Sequence, residues 1–169
     1  MITLSIVEVS ERAAFKKHLQ EAFAVAVIET FGSLPDGPIP SDDDLDQSFA
    51  SPGAEALHVL DQGRKVGGAI VTINQETHRN TLDLFFIKLG EHGHGLGLRA
   101  WQAIERRYPD TRVWETHTPL FETRNIHFYV NKCGFKIVEF FNPHHPNPHG
   151  PGGDDLPGEE ADFRFEKVM

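Results

Sequence analysis

The chain has 169 residues, 39% apolar and 24% charged, a globular balance sized for one domain with its own core. A net charge of −9 argues against nucleic acid, which needs clustered Lys and Arg, and is compatible with a cationic partner such as an amine. No apolar run approaches the ~20 residues that span a bilayer. The first residues have no basic segment followed by an apolar one, so no membrane partner and a cytoplasmic location are expected. Cys133 is the only cysteine, which excludes an internal disulfide, and its place in an apolar helical stripe reads as packing.

In chain order, residues 3–9 alternate apolar and polar side chains as a strand does. Ser10 reads as the N-cap of an amphipathic helix over 11–29, with Phe15, Leu19, Ala22, Phe23 and Ala26 at helical spacing. A loop over 32–40 leads to Ser41, which opens a second, shorter helix through about Phe49. Three strand-like runs follow at 55–61, 65–74 and 81–88, close enough to pair as antiparallel hairpins. The third is apolar on both faces, which marks a central strand.

A glycine-rich turn then enters a helix over 95–107 with Leu98, Trp101, Ile104 and Tyr108 as its stripe. A short strand at 112–116, a helix over 123–133 ending at Gly134, and strands at 135–141 and 161–168 complete the chain. The reading is a single α+β domain over 1–169: a mixed, mostly antiparallel sheet flanked by about four helices. Residues 142–160, rich in Pro, Gly, His and acid, read as a long surface loop. It carries His144, His145 and His149, but Pro143, Pro146 and Pro148 forbid the helix that would align those rings, so no metal is expected.

The turn Glu91-His92-Gly93-His94-Gly95-Leu96-Gly97 joins the central strand to a helix start. Its glycines leave backbone N–H groups uncovered beside the positive end of the helix, a cradle for a phosphate or pyrophosphate that needs no lysine. A tight turn alone would also use these glycines. No Lys-Ser or Lys-Thr follows, which excludes a P-loop. Gly95, Gly97 and Ala100 match a dinucleotide-binding fingerprint, with Glu115 near the acidic position. That NAD-binding oxidoreductase reading lacks room for a doubly wound sheet.

The run from Phe86 to Gly97 resembles the strand-to-helix motif of the GNAT superfamily of acyl-CoA-dependent N-acetyltransferases, Arg/Gln-x-x-Gly-x-Gly/Ala, here on His92, Gly95 and Gly97. Asn125, Tyr129 and Gly134-Phe135 resemble its second signature, and the order of elements matches over nearly the whole chain. The resemblance implies acetyl transfer from acetyl-CoA, as co-substrate, to a primary amine of a small molecule or peptide, by direct attack in a ternary complex. It implies that the N–H groups of His92, Gly93, His94, Gly95, Leu96 and Gly97 hold the CoA pyrophosphate. The strand end at Phe86, Ile87 and Lys88 would pair with the pantetheine arm and polarise the thioester, Asn125 would bind the arm, and Tyr129 would protonate the leaving thiolate.

Two departures from the family pattern matter. His92 stands where Arg or Gln is usual, and the interval from Tyr129 to Gly134-Phe135 is one residue longer. Unless that residue is absorbed, Val130 takes the place of Tyr129. Asp83, a carboxylate in an apolar strand, and Glu115, on the following strand, are the candidate general bases. Each could instead be merely solvated, and His117 could relay protons or make one ordinary hydrogen bond. A non-catalytic CoA-binding module is the alternative function, and a homodimer is compatible with the sequence without being specified by it.

Overall fold

The computed structural model describes residues 1–33, 37–146 and 161–169. The elements run β1 (Ile2–Ile6), α1 (Arg12–Phe31), α2 (Asp42–Ala50), β2 (Ala54–Asp61), β3 (Arg64–Thr72), β4 (Arg79–Ile87), α3 (Leu96–Arg107), β5 (Val113–Pro119), α4 (Thr123–His127), β6 (Lys136–Phe141) and β7 (Asp162–Val168). The seven strands form one sheet in the order β1-β2-β3-β4-β5-β7-β6. Only β4 and β5 pair in parallel, joined by a crossover through α3, and every other neighbouring pair is antiparallel. A doubly wound dinucleotide fold needs a parallel sheet, so that reading falls.

The doubly apolar run is β4, the middle strand of the seven. Alternation along β3 and β4 feeds apolar clusters on both faces of the sheet. Ala69 and Val71 join Leu82, Trp101, Trp114, Tyr129 and Phe165 in the core under α3. Ile70 turns to the other face, with Phe86 and with Phe15 and Leu19 of α1 and Leu45 of α2. Gly67 and Gly68 let β3 run close beneath this packing. A Cβ at Gly67 would stand 2.3 Å from the Phe86 carbonyl oxygen, and one at Gly68 would stand 2.4 Å from the Phe15 ring.

Local signals held at Ser41, whose hydroxyl accepts from the Asp44 N–H at 3.2 Å to cap α2. They failed at Ser10. The first strand stops at Ile6, and a short 3-10 turn over Val9–Glu11 follows, closed by the Glu8 N–H donating to the Glu11 side chain. The helix therefore starts at Arg12. Glu8 and Glu11 cap that turn reciprocally, and the chain passes from it into the helix without a cap from Ser10. Cys133 is buried and its thiol pKa is pushed up to about 12, consistent with a packing role.

The last helical segment departs most from expectation. After one turn of α4, residues Phe128–Lys132 open into a π-turn, in which Cys133 N–H donates to the Phe128 carbonyl five residues back at 3.0 Å. This wider turn absorbs the extra residue. Tyr129 points into the core against Phe135 and Phe165, while Val130 is only partly buried.

Candidate active site

Pairing between β4 and β5 covers only Arg79–Leu82 and Val113–Thr116. Beyond the last pair, Leu82 and Thr116, the strands separate: β4 continues with β3 alone and β5 with β7 alone. The Thr116 hydroxyl donates to the Leu82 carbonyl at 2.8 Å and pins the apex. Past the apex the β4 edge facing β5 has no strand beside it. Lys88 N–H donates to Val66 O on β3 at 2.9 Å, so by two-residue alternation Phe86 also turns its N–H toward β3. Phe85 and Ile87 turn theirs toward the gap. Of the predicted trio, Ile87 alone offers a free N–H there, because Phe86 and Lys88 are committed to the sheet.

A cleft of about 550 Å³ occupies this gap. Its walls come from both faces of the sheet: Ala22, Ala26 and Thr30 of α1 on one side, Leu96, Gly97, Asn125 and Phe128 on the other, and Phe85–Ile87 between them. The cleft therefore passes through the sheet where the strands part. Phe128 stacks on Phe85 at 5.9 Å and 7°, and a Cβ at Gly97 would reach the Phe128 ring at 3.3 Å, so a side chain there would crowd this wall.

The glycine turn closes one end. Gly90, Gly93, His94 and Gly95 all have positive φ, Gly93 at 120°, a value side chains rarely adopt. Leu96 N–H donates back to Gly93 O at 3.1 Å, and the first α3 bond runs from Arg99 N–H to Gly95 O at 3.0 Å. Gly97 and Leu98 thus lie in the first turn of α3, where N–H groups have no partner within the helix. His92, Gly93, Leu96 and Gly97 line the cleft, whereas His94 and Gly95 shape the turn without lining it. Backbone amides, a helix N-terminus and an unpaired strand edge in one cleft fit a pyrophosphate joined to an amide-bearing arm.

Asn125 also lines the cleft, and its Nδ2 donates to Glu122 Oε2 at 2.7 Å, leaving its carbonyl oxygen as the remaining group for a ligand N–H. Glu122 is the residue that sequence reasoning missed. It lies in the loop after β5, lines the cleft, and burial raises its pKa. Tyr129 does not line the cleft. It is 6% exposed, with its hydroxyl directed to Thr116 at the apex and Glu122 nearby, and burial raises its pKa so the phenol keeps its proton.

The carboxylates gather on the other face of the apex. A bulge in the β3–β4 register, where Ile70 faces Leu84 but Val71 faces Leu82, makes Asp83 the extra residue. Its side chain turns to Thr72, whose hydroxyl donates to Oδ2 at 2.5 Å. Asp83 is an exposed residue, although neighbouring atoms crowd around its carboxyl. Burial pushes its pKa up to about 6, although Thr72 and His117 pull it down. Glu115 is held differently: His117 and Arg164 bind it, Arg164 Nη1 at 3.1 Å, and its pKa is lowered, chiefly by His117. Of the loop histidines, His145 pairs with Glu139 at 2.8 Å, and His149 lies outside the described residues.

Residues 14–135 match the Acetyltransferase (GNAT) family model, and the chain belongs to that family. Across 173 aligned residues it is 55% identical to the Bacillus subtilis (strain 168) protein YrkN, named as uncharacterized, covering 99% of this chain and 94% of that one. Among solved structures it resembles a Bacillus subtilis acetyltransferase in complex with CoA, at 15% identity over 100% of this chain and 99% of that one, with a TM-score of 0.68. It also resembles the Vibrio cholerae spermidine N-acetyltransferase in complex with CoA and spermine, at 14% identity over 99% and 95% of the two chains, TM-score 0.70. At these identities the structural likeness speaks for the fold. No helix of the described residues is long and apolar enough to cross a membrane.

Proposed function

We propose that this chain transfers an acetyl group from acetyl-CoA to a primary amine by direct attack within a ternary complex. The observation that carries the reading is the parting of β4 and β5 after Leu82 and Thr116, which opens an unpaired strand edge between the glycine turn and Asp83. Acetyl-CoA supplies the activated acyl group. The amides of the 92–97 turn and the first turn of α3 would hold its pyrophosphate, and Phe85 and Ile87 would pair with the pantetheine arm. The Ile87 N–H would polarise the thioester carbonyl.

Asp83 takes a proton from the acceptor ammonium, so that the free amine attacks. It is exposed and its carboxyl has a pKa near neutrality, which suits a base better than Glu115, already committed to Arg164 and His117. Tyr129, a phenol held protonated beside Thr116, returns a proton to the departing thiolate. The nitrogen sheds its second proton as the adduct collapses, which balances the one Tyr129 gives up. Asp83 releases the other to solvent, and the products are an N-acetylated amine and free CoA.

The alternative is a module that binds CoA without turnover, and the burial of Tyr129 away from the cleft wall is the observation in its favour. Release of free thiol from acetyl-CoA against a panel of amines, including polyamines and peptides with free N-termini, separates the two. Amine-dependent thiol release that Asp83→Asn and Tyr129→Phe each reduce supports catalysis. Tight CoA binding without thiol release for any amine supports the module.

A further inference from the structure

We propose that His117 is a positioning residue for this reaction: flanked at its two ring nitrogens by the carboxylates of Asp162 and Glu115, it places a cation across the β4–β5 gap from Asp83. The inference rests on the reading of Asp83 as the base.

His117 sits one residue past the apex on β5, on the same face as Glu115 and opposite Arg164 of β7. Its Nδ1 lies 3.5 Å from Asp162 Oδ2 and its Nε2 lies 3.6 Å from Glu115 Oε2. A ring with a carboxylate facing each nitrogen is favoured in the doubly protonated, imidazolium form. Burial opposes that charge, but the facing carboxylates of Asp162 and Glu115 outweigh it and lift the pKa to about 9. The ring lies nearly parallel to that of buried Phe141, with centroids 6.3 Å apart and 15° between the planes.

From β3, Asp83 meets the uncharged Thr72 hydroxyl. From β5, it feels His117, which lowers its pKa, and Glu115, which raises it. Arg164 of β7 takes up the surrounding acids, donating to Glu139 of β6 at 2.9 Å, to Glu115 at 3.1 Å and to Glu166 at 2.7 Å. Arg79 also pairs with Glu166, and His145 with Glu139. With those carboxylates engaged, His117 is, among the described residues, the cation whose charge lowers the Asp83 pKa. It offsets part of the burial that holds the Asp83 midpoint up, so that more of Asp83 is ionised at neutral pH and able to accept from an ammonium. His117 itself exchanges no proton in the cycle.

Carbon-13 NMR of the aspartate carboxyls, with Asp83 assigned by its absence in Asp83→Asn, tests this on the whole chain without any substrate. In the unsubstituted protein Asp83 should titrate near 6, and the His117 nitrogens should stay doubly protonated from pH 5 to 8. His117→Gln should raise the Asp83 midpoint by about half to one pH unit, and His117→Lys should bring it back. With an amine that turns over, the acid limb of kcat/KM should move in step. A His117 that loses its proton below pH 7 overturns the proposal and needs no variant to show it. So does an Asp83 midpoint unmoved in His117→Gln, or one that lysine fails to restore. Full turnover by Asp83→Asn would instead remove Asp83 as the base, and it leaves the titration result standing.

Discussion

The amide of Cys133 donates to the carbonyl of Phe128, five residues back rather than four, and this bond decides which side chain enters the core beneath the cleft. Counted as an uninterrupted α-helix from Gly134-Phe135, the chain would turn Val130 inward. The π-turn takes up one residue, and Phe135 N–H reaches the Tyr129 carbonyl at 2.9 Å. Tyr129 then packs against Phe135 and Phe165 with its hydroxyl toward Thr116.

Removing a residue from a helix usually rotates all that follows by about 100° and unfolds small domains. Here removal of exposed Lys132 should convert the π-turn to a regular one and leave Tyr129 where it is. The melting midpoint should fall by no more than about 4 °C, roughly 1 kcal/mol in a chain of this size. Tyr129→Phe should fold equally well and lose about a hundredfold in kcat. Thermal melts and rates of the two variants check both statements, and a collapse on removal of Lys132 would mean that the bulge residue is itself structural.

Asp83 has a folded pKa of about 6, against the 3.8 usual for an aspartate in water. The folded chain therefore binds the proton more tightly between those values, and stability falls as pH rises through that window. Above pH 6 the folded state bears the full cost of the charge. Asp83→Asn should thus be more stable than the unsubstituted chain at pH 8, by of order 1 kcal/mol after discounting for its exposure, with the difference vanishing below about pH 4. Its rate should fall by about 10²–10³ and lose the acid limb near pH 6. Denaturant melts at pH 4 and 8, set beside pH–rate profiles, read both effects.

Much of this was legible in the sequence because it rests on local chemistry. The apolar faces of β4, the Ser41 cap and the glycines before α3 each state their own requirement. What was not legible depends on register between distant strands. Nothing near Asp83 shows that it is a bulge residue, since that depends on how β3 pairs. Nothing near His117 shows Asp162, which lies 45 residues away and arrives through the β5–β7 ladder. Asp162, Arg164 and Glu166 alternate along β7 and so share one face, a signal that was present. Glu122 carried none, because a carboxylate in a loop becomes notable only when a cleft forms around it.

Gly93, at φ 120°, is open to solvent, with nothing within 4 Å of where a Cβ would be. Gly93→Ala therefore meets no neighbour but forces the turn toward another conformation, at a cost of about 1–2 kcal/mol. That distortion should fall on the pyrophosphate cradle. CoA affinity should drop by about tenfold or more, while far-ultraviolet circular dichroism stays unchanged. Calorimetric titration of both proteins with CoA measures it, and equal affinities would take Gly93 out of the cradle.

The cleft between the parted strands stands at the centre of this account, and ligand-dependent melting tests it most directly. A ligand at 100 times its dissociation constant stabilises the native state by about 2.7 kcal/mol, or roughly 5–10 °C for a chain of this size. Acetyl-CoA and CoA should each raise the midpoint by about that much, and NADH and ATP should leave it nearly unmoved. No shift with either CoA species, or a larger one with NADH, would contradict the assignment of the glycine turn and the cleft together.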